Sequence, residues 1–393
     1  INIYMQFTND SLLLQDFSTS IKNITKLKID YKNIVFLIQI LKIIQKSYYE
    51  SKMFNNIDIQ YKDVDSISNL VQYPSQIADS IRSFQNHYHY SFKLNTIQVN
   101  FNLFVNKKKS QKELILIIKR VFMILYFAHF YSQNDHPKEI DIFFYFTDHK
   151  KQLNQDKILS TIHVNSAFTN PCNNNVEVHI YRFEEWFKVF LHETMHFMRL
   201  DFSCSHTDQV DELISSFIPL KKNDIRIYEA YSEFWALIIN SLFTSFFHTK
   251  IKNDYSKMFN KFIIYIQNEM VFSVFQMNKI LNHCNLEYTD LFDKNFNSKT
   301  KCKNYKEDSY VISYYIIKAI LLFNINDFLK WVLLFNKSIK FNKSSKNIMN
   351  FGYFIENHFK DDDFIDTIQK IKEIKSKNSF IQSTLRMSVI EEN

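Results

Sequence analysis

The spacing of apolar residues changes period several times along the chain. Ile97, Val99, Phe101, Leu103 and Val105 alternate with Gln98, Asn100, Asn102 and Phe104. That is the two-residue period of a strand with one buried face. Residues 111–131, rich in Leu, Ile and Phe, read as a helix. Over 139–146 both faces are apolar, with Ile140, Ile142, Phe144 and Phe146 on one and Phe143 and Tyr145 on the other. This suits a central strand. A short strand is expected over 161–164. A further strand is expected where Val176, Val178 and Ile180 alternate with Glu177, His179 and Tyr181, after an Asn-rich turn at 173–175. Next, Phe183, Phe187, Phe190, Leu191, Thr194 and Met198 recur at three- and four-residue steps, with Glu184, Glu185 and Lys188 between them. Neither Gly nor Pro interrupts 182–200, so the stretch predicts a helix, and one this apolar is largely buried. Residues 228–247, 255–281, 308–323 and 326–336 read as later helices. The Asp-rich then Lys-rich stretch 361–377 reads as a solvated segment, and 379–392 alternates enough to return as a strand.

Strands alternating with helices, then helices alone, predict an α+β fold. Its parts are a mainly helical accessory region at 1–90, a mixed-sheet subdomain at 91–224 that includes the 182–200 helix, a helical subdomain at 225–345, and a tail at 346–393. At 393 residues the chain exceeds one ordinary domain. One Gly and four Pro are very few for that length. Asn tolerates the left-handed backbone conformation that Gly usually supplies, and Asn is abundant here.

The candidate chemistry sits on the 182–200 helix. His192, Glu193 and His196 form His-Glu-x-x-His. Residues four apart on a helix share a face, so both imidazoles can reach one metal ion. Glu193 is one step round the helix, where it can act as general base toward a metal-activated water. A catalytic zinc usually takes a third protein ligand and leaves one position open. Downstream, Glu229 and Glu233 lie four apart in Tyr-Glu-Ala-Tyr-Ser-Glu-Phe-Trp-Ala (228–236). His206, Asp208, Asp211 and Glu212, in the connection between the two helices, are rival ligands, with Cys204-x-His206 the most metal-like of them.

The two motifs together resemble the gluzincin class of zinc metallopeptidases, over roughly residues 91–340. The metzincin pattern does not fit, because Arg199 and Phe202 stand where its Gly and third His would be. The gluzincin resemblance implies a zincin-like fold and one catalytic Zn2+ held by His192, His196 and Glu229. It further implies Glu233 as the acid that orients His192, although that class more often has Asp there, and a peptide or protein substrate. It places a substrate-binding edge strand at Val176, Val178 and Ile180. It also asks for a side chain from the helical part to stabilise the oxyanion. Tyr314 and Tyr315 are the expected catalytic tyrosines; Tyr310, His248, His283 and Arg386 are alternatives. More narrowly, the chain is similar to predicted metallopeptidases of large DNA viruses and AT-rich protist genomes. The competing reading is a catalytically inactive zincin-like scaffold, acting as a structural or interaction protein in a particle or assembly.

Charge and cysteines add little to this. A net charge of +7 is mild, and only Lys107–Lys109 is a tight basic run, so a nucleic-acid partner is not expected. No membrane span is expected either. The nearest candidate, 111–131, carries Lys119 and Arg120 mid-run. Cys172, Cys204, Cys284 and Cys302 are widely spaced and suggest no disulfide framework. That points to a reducing, intracellular setting, which the viral resemblance makes a host cytoplasm or a virion. The chain opens at Ile1 rather than Met, so secretion through a preceding segment stays open, as does the oligomeric state.

Overall fold

The computed structural model describes residues 6–64, 70–133, 135–156, 158–220 and 225–392. The chain begins with helices α1 (Asn9–Ile21) and α2 (Tyr31–Glu50), strand β1 (Gln60–Asp63) and helix α3 (Ser75–Arg82). It continues through β2 (Asn86–Leu94), β3 (Ile97–Val105), α4 (Gln111–Ser132) and β4 (Glu139–Tyr145). Then follow β5 (Leu159–Ser160), α5 (Thr161–Val164), β6 (Ala167–Thr169), β7 (Asn175–Ile180) and α6 (Trp186–Phe197). The rest is almost wholly helical: α7 (Asp208–Phe217), α8 (Ile227–Phe247), α9 (Tyr255–His283), α10 (Phe296–Asn304), the short β8 (Glu307–Asp308), and a π-helical turn, Ile312–Ile317, that runs into α11 (Lys318–Phe323). Helices α12 (Ile325–Phe335), α13 (Ser345–Phe359), α14 (Asp362–Lys372) and α15 (Ser379–Ser383) complete the chain.

Six strands form one mixed sheet in the order β1-β2-β3-β4-β7-β6. The β1–β2–β3 portion is antiparallel, β3–β4–β7 is parallel, and β6 returns antiparallel along the edge. The alternation read from the sequence sets the register. Val99 opposes Ile140, Ile140 opposes Val176, and Phe144 opposes Ile180, so the fully apolar sets share one face. Helices α4 and α6 cover that face. Ser110 starts α4 with a capping box, its backbone N–H donating to Glu113 Oε2 at 2.8 Å. By length and composition α4 could cross a membrane, yet most of its apolar stretch is buried inside the protein. On the other face, α3 lays Ile77 and Ile81 over Phe104, Tyr145 and Tyr181.

Helix α8 is the core of the helical half. Every residue from Ile227 to Phe247 except Tyr228 is buried, and the helix packs on α6, α9 and α2. The α+β class and the helical second half therefore match expectation. Several local expectations do not. Residues 161–164 form a helical turn, not a strand; the strand there is 159–160, paired with β8. The sheet begins before residue 91, because β2 starts at Asn86. Helices α1 and α2 pack on α9, α4 and α8, so these two helices belong to the main core and not to a separate accessory region. The stretch expected to be solvated contains α14, which buries Phe364, Ile368 and Ile371. Residues 384–390 do not form a strand. They run through the interior with Leu385, Arg386, Ser388 and Val389 fully buried.

Candidate metal centre

Helix α6 starts from an unusual backbone. Glu185 sits in the left-handed region at φ 58, which is uncommon for a residue with a side chain. Its carboxylate is held by the backbone N–H groups of Met387 (3.1 Å) and Ser388 (2.7 Å) and by Lys151. Thus the C-terminal segment anchors the first turn of the helix that carries His192. Glu184, Glu185 and Lys188, which fall between the apolar positions in the sequence, are all buried. Their charges are matched inside the protein by Lys151, Arg386 and Glu233.

Helix α8 lies against α6 and presents Glu229 and Glu233 to the two histidines. His192 Nε2 is 3.0 Å from His196 Nε2 and 3.1 Å from Glu229 Oε2, and His196 Nε2 is 3.3 Å from that same oxygen. These three atoms make a nearly equilateral triangle. Ligand atoms roughly 2.0–2.1 Å from one tetrahedral zinc would be about 3.3 Å apart. The donor set and the spacing therefore fit a metal ion, and the buried His192–His196–Glu229 group could hold one.

Each histidine also has a carboxylate behind it. His192 Nδ1 lies 3.0 Å from Glu233 Oε2, an ion-pair contact without the alignment of a hydrogen bond. The other oxygen of Glu233 contacts Lys188 Nζ, one turn before His192. His196 Nδ1 is bonded to Asp201 Oδ2. Asp201 also accepts from Ser232 Oγ at 3.0 Å and from Ser203 Oγ at 2.8 Å. The hydrogen bond to Asp201 fixes the His196 ring and its tautomer, leaving Nε2 toward a metal, and Glu233 stands in the corresponding place behind His192. Asp201 belongs to no motif in the sequence. Its position depends on Arg199, which takes φ 57 and folds the chain back under the helix, with the N–H of Leu200 bonded to Met195 O at 2.9 Å. A non-Gly residue in that conformation leaves no plain mark in the sequence.

Burial acts on all of these groups, and the neighbouring charges decide the outcome. Burial alone would lower both histidines. Glu229 and Glu233 instead raise His192, and Asp201 with Glu229 raises His196 well above the usual imidazole value. Burial would raise Glu229 and Glu233, but the histidines hold Glu229 low, and Lys188 with His192 hold Glu233 low. A divalent cation would have to displace protons from the imidazoles, so its binding weakens as the pH falls. Glu193 is raised by burial against the pull of His192 and His196. Its carboxylate makes no hydrogen bond to the described residues and lines the same pocket as His192. That pocket is walled by Val164, Ser166, Ala167, Lys188, Tyr314 and Met387 among others.

The structure separates the two expected tyrosines. The Tyr314 ring centroid is 5.9 Å from that of His192, and the residue lines the pocket. Burial, with Glu229, Glu193 and Glu233 nearby, raises its pKa well above the ordinary value, so the hydroxyl keeps its proton. Tyr315 points elsewhere, its hydroxyl donating to Leu385 O at 2.6 Å, and it is not placed to touch a substrate. Consecutive residues on a helical turn project in different directions, so these neighbours meet different surroundings. Tyr310 carries the Arg226 guanidinium over its ring, 4.5 Å from the centroid. His248, His283 and Arg386 are bound to Glu392, Asp156 O and Glu391 and lie away from the pocket.

Two further expectations change. Val176, Val178 and Ile180 are on β7, an inner strand flanked by β4 and β6, with their side chains in the core. They cannot serve as an edge; β6 holds that place, beside α6. The rival metal motif is also removed, because Cys204 is bonded to Cys172 with a Cα–Cα separation of 5.8 Å. His206 beside it is exposed. Far apart in sequence, the cysteines meet because the β6–β7 turn and the loop after α6 end at the same side of the sheet. This pair takes away the cysteine argument for a reducing compartment. No family model, curated protein or solved structure matches the chain.

Proposed function

We propose that the protein is a zinc-dependent peptidase of the gluzincin kind, with a zincin-like arrangement of sheet, active-site helix and helical subdomain. One observation carries this reading. His192, His196 and Glu229 converge to tetrahedral ligand spacing, while the carboxylate of Glu193, the residue after His192, makes no hydrogen bond to the described residues and lines the same pocket. A purely structural metal site would close around its ion and would have no use for a buried, unbonded carboxylate.

Bound zinc would supply Lewis acidity and lower the pKa of a water molecule. Glu193 takes the proton of the attacking water and delivers it to the departing amide nitrogen. Its raised pKa suits both halves of that transfer. The Tyr314 hydroxyl, protonated and facing the pocket, donates to the carbonyl oxygen as that atom gains charge. Glu233 and Asp201 hold the imidazoles. The peptide lies along β6, whose outer edge bears no further strand among the described residues, by added-strand pairing. Ser166, at the start of that edge, has a buried hydroxyl with no partner among the described residues, on the pocket wall.

The test is Glu193→Gln, assayed for zinc by elemental mass spectrometry and for cleavage of a peptide library. The variant should bind one zinc at the triad, stay folded and lose hydrolysis. Undiminished turnover in Glu193→Gln would refute the mechanism. A wild-type protein that binds zinc but cleaves no peptide would favour the inactive scaffold.

A further inference from the structure

The face of the sheet away from α6 carries a second group of imidazoles, which the proposed reaction does not use. His87 and His89 are two residues apart on β2 and so share a face. Asn102 lies directly opposite His89 on β3. His87 Nε2 and His89 Nδ1 are each 3.0 Å from one atom, Asn102 Oδ1. The His87 ring is held flat on Phe104, with centroids 4.2 Å apart and planes 9° apart. Both histidines are half-buried, so the point where they converge can be reached from solvent.

A proton count along the neighbouring hydrogen bonds shows what His89 offers there. Asn100 donates through Nδ2 to Glu139 Oε1 (3.1 Å) and Asp141 Oδ1 (2.8 Å). This fixes its amide, so Asn100 Oδ1 is an acceptor. Ser91 has a single hydroxyl proton and donates it to that oxygen at 2.8 Å. Ser91 Oγ, 3.1 Å from His89 Nε2, can then only accept. In its neutral form His89 therefore carries its proton on Nε2 and turns a bare Nδ1 toward Asn102. A neutral ring in that tautomer sets a lone pair against the lone pairs of the amide oxygen. Turning the Asn102 amide to present its NH2 group would relieve this. A cation drawn to the two nitrogens and the oxygen would relieve it as well.

We propose that His87, His89 and the Asn102 amide oxygen form a second, peripheral site for a late first-row divalent cation such as zinc, nickel or copper. Imidazole ligands favour these ions over magnesium or calcium. The protein ligands are neutral and few, so water completes the coordination and the site is weaker than the buried triad. Glu139 and Asp141, next to Asn100 on the same face, supply compensating negative charge.

Nickel alone is the probe, titrated calorimetrically into the full, metal-stripped chain. The wild type should bind two ions. His89→Gln should lose the weaker one with an unchanged melting temperature, and His192→Ala/His196→Ala should keep it. If the buried triad fails to bind, the wild type takes one ion and His89→Gln none, which separates the two proposals. Equal stoichiometry in wild type and His89→Gln overturns the peripheral site, and means that Asn102 satisfies the imidazoles by hydrogen bonds alone. Copper electron paramagnetic resonance gives a second readout. Two-nitrogen coupling in the His192→Ala/His196→Ala protein, lost on adding His89→Gln, is the expected result, and coupling that survives that change overturns the proposal.

Discussion

Asp201→Asn tests the centre at the residue the sequence concealed. In the folded chain Asp201 Oδ2 accepts from His196 Nδ1 and Ser232 Oγ, while Oδ1 accepts from the Ser203 backbone N–H and hydroxyl. An amide keeps the shape but has one acceptor oxygen. If that oxygen stays on His196, the Ser203 N–H faces an NH2 group. If it turns to Ser203, the imidazole N–H does. In the first case a bond to a charged acceptor becomes one to a neutral acceptor. Charge-assisted bonds contribute about 1.5–3 kcal/mol and neutral ones about 0.5–1.5 kcal/mol, so the difference is about 1–2 kcal/mol. At about 1.4 kcal/mol per factor of ten, that is a roughly 5- to 30-fold loss. In the second case the imidazole loses its acceptor entirely, and the loss approaches the upper end of the roughly 10- to 100-fold range seen for such partners. The assay is competition for zinc with a chromophoric chelator at neutral pH, with circular dichroism to establish that the variant is folded and Glu229→Ala as the reference for losing a ligand. A folded Asp201→Asn protein whose zinc affinity equals that of wild type would show that Asp201 does not orient His196, and the argument from its four hydrogen bonds would fail.

The other predictions follow from neighbouring parts of the fold. Tyr314→Phe should lower kcat by roughly 10²–10³ with an unchanged melting temperature. Tyr315→Phe should do the reverse, costing about 1–2 kcal/mol of stability and leaving kcat alone; equal effects on kcat would show that the separation of the two hydroxyls is wrong. Cys172→Ser opens a bond between residues 32 apart, worth about 3.7 kcal/mol on the chain-entropy account. Denaturant melts should show that loss, and adding a thiol reductant should shift the wild type to the same midpoint. At Gly352 a new Cβ would stand 2.5 Å from Val210 Cγ2 and 2.9 Å from Leu213 Cδ2. The helix gain of about 1 kcal/mol should be outweighed by overpacking of about 1–3 kcal/mol, so Gly352→Ala should melt lower and Val210→Ala should partly restore it.

How much of this was legible from sequence depends on whether the cause is local. Period-two and period-3.6 patterns are local properties. They place β3, β4, β7, α4, α6 and α8 correctly, and with them His192, Glu193, His196 and the Glu229–Glu233 pair. Strand order is not local. The pattern Val176, Val178, Ile180 shows one buried face, and a strand between two neighbours has that pattern as readily as an edge strand does. Only the antiparallel return of β6, three residues long and too short to show a period, reveals that β7 is inner. The buried charges fail for the same reason. Glu185 and Lys188 fall where a helix would normally meet water. Here that side meets residues 384–390, whose N–H groups, 202 and 203 positions later, satisfy Glu185, while Glu233 from α8 meets Lys188.

Residues 384–390 matter most for the chemistry. Alternation in 379–392 suggested a strand, which would bond to a neighbouring strand. Its N–H groups instead bond to carboxylates: Glu185 takes those of Met387 and Ser388, and Glu269 takes that of Val389. Met387 also reaches the wall of the pocket that holds His192 and Glu193. The final segment therefore joins the first turn of the histidine helix, through Glu185, to α9, through Glu269. Residues 385–389 thus brace the start of α6 and supply one wall of the pocket beside the triad. Since an unpaired buried carboxylate is costly to leave behind, removing this segment should disturb α6 from its first turn, and the metal centre with it, well before it loosened the sheet.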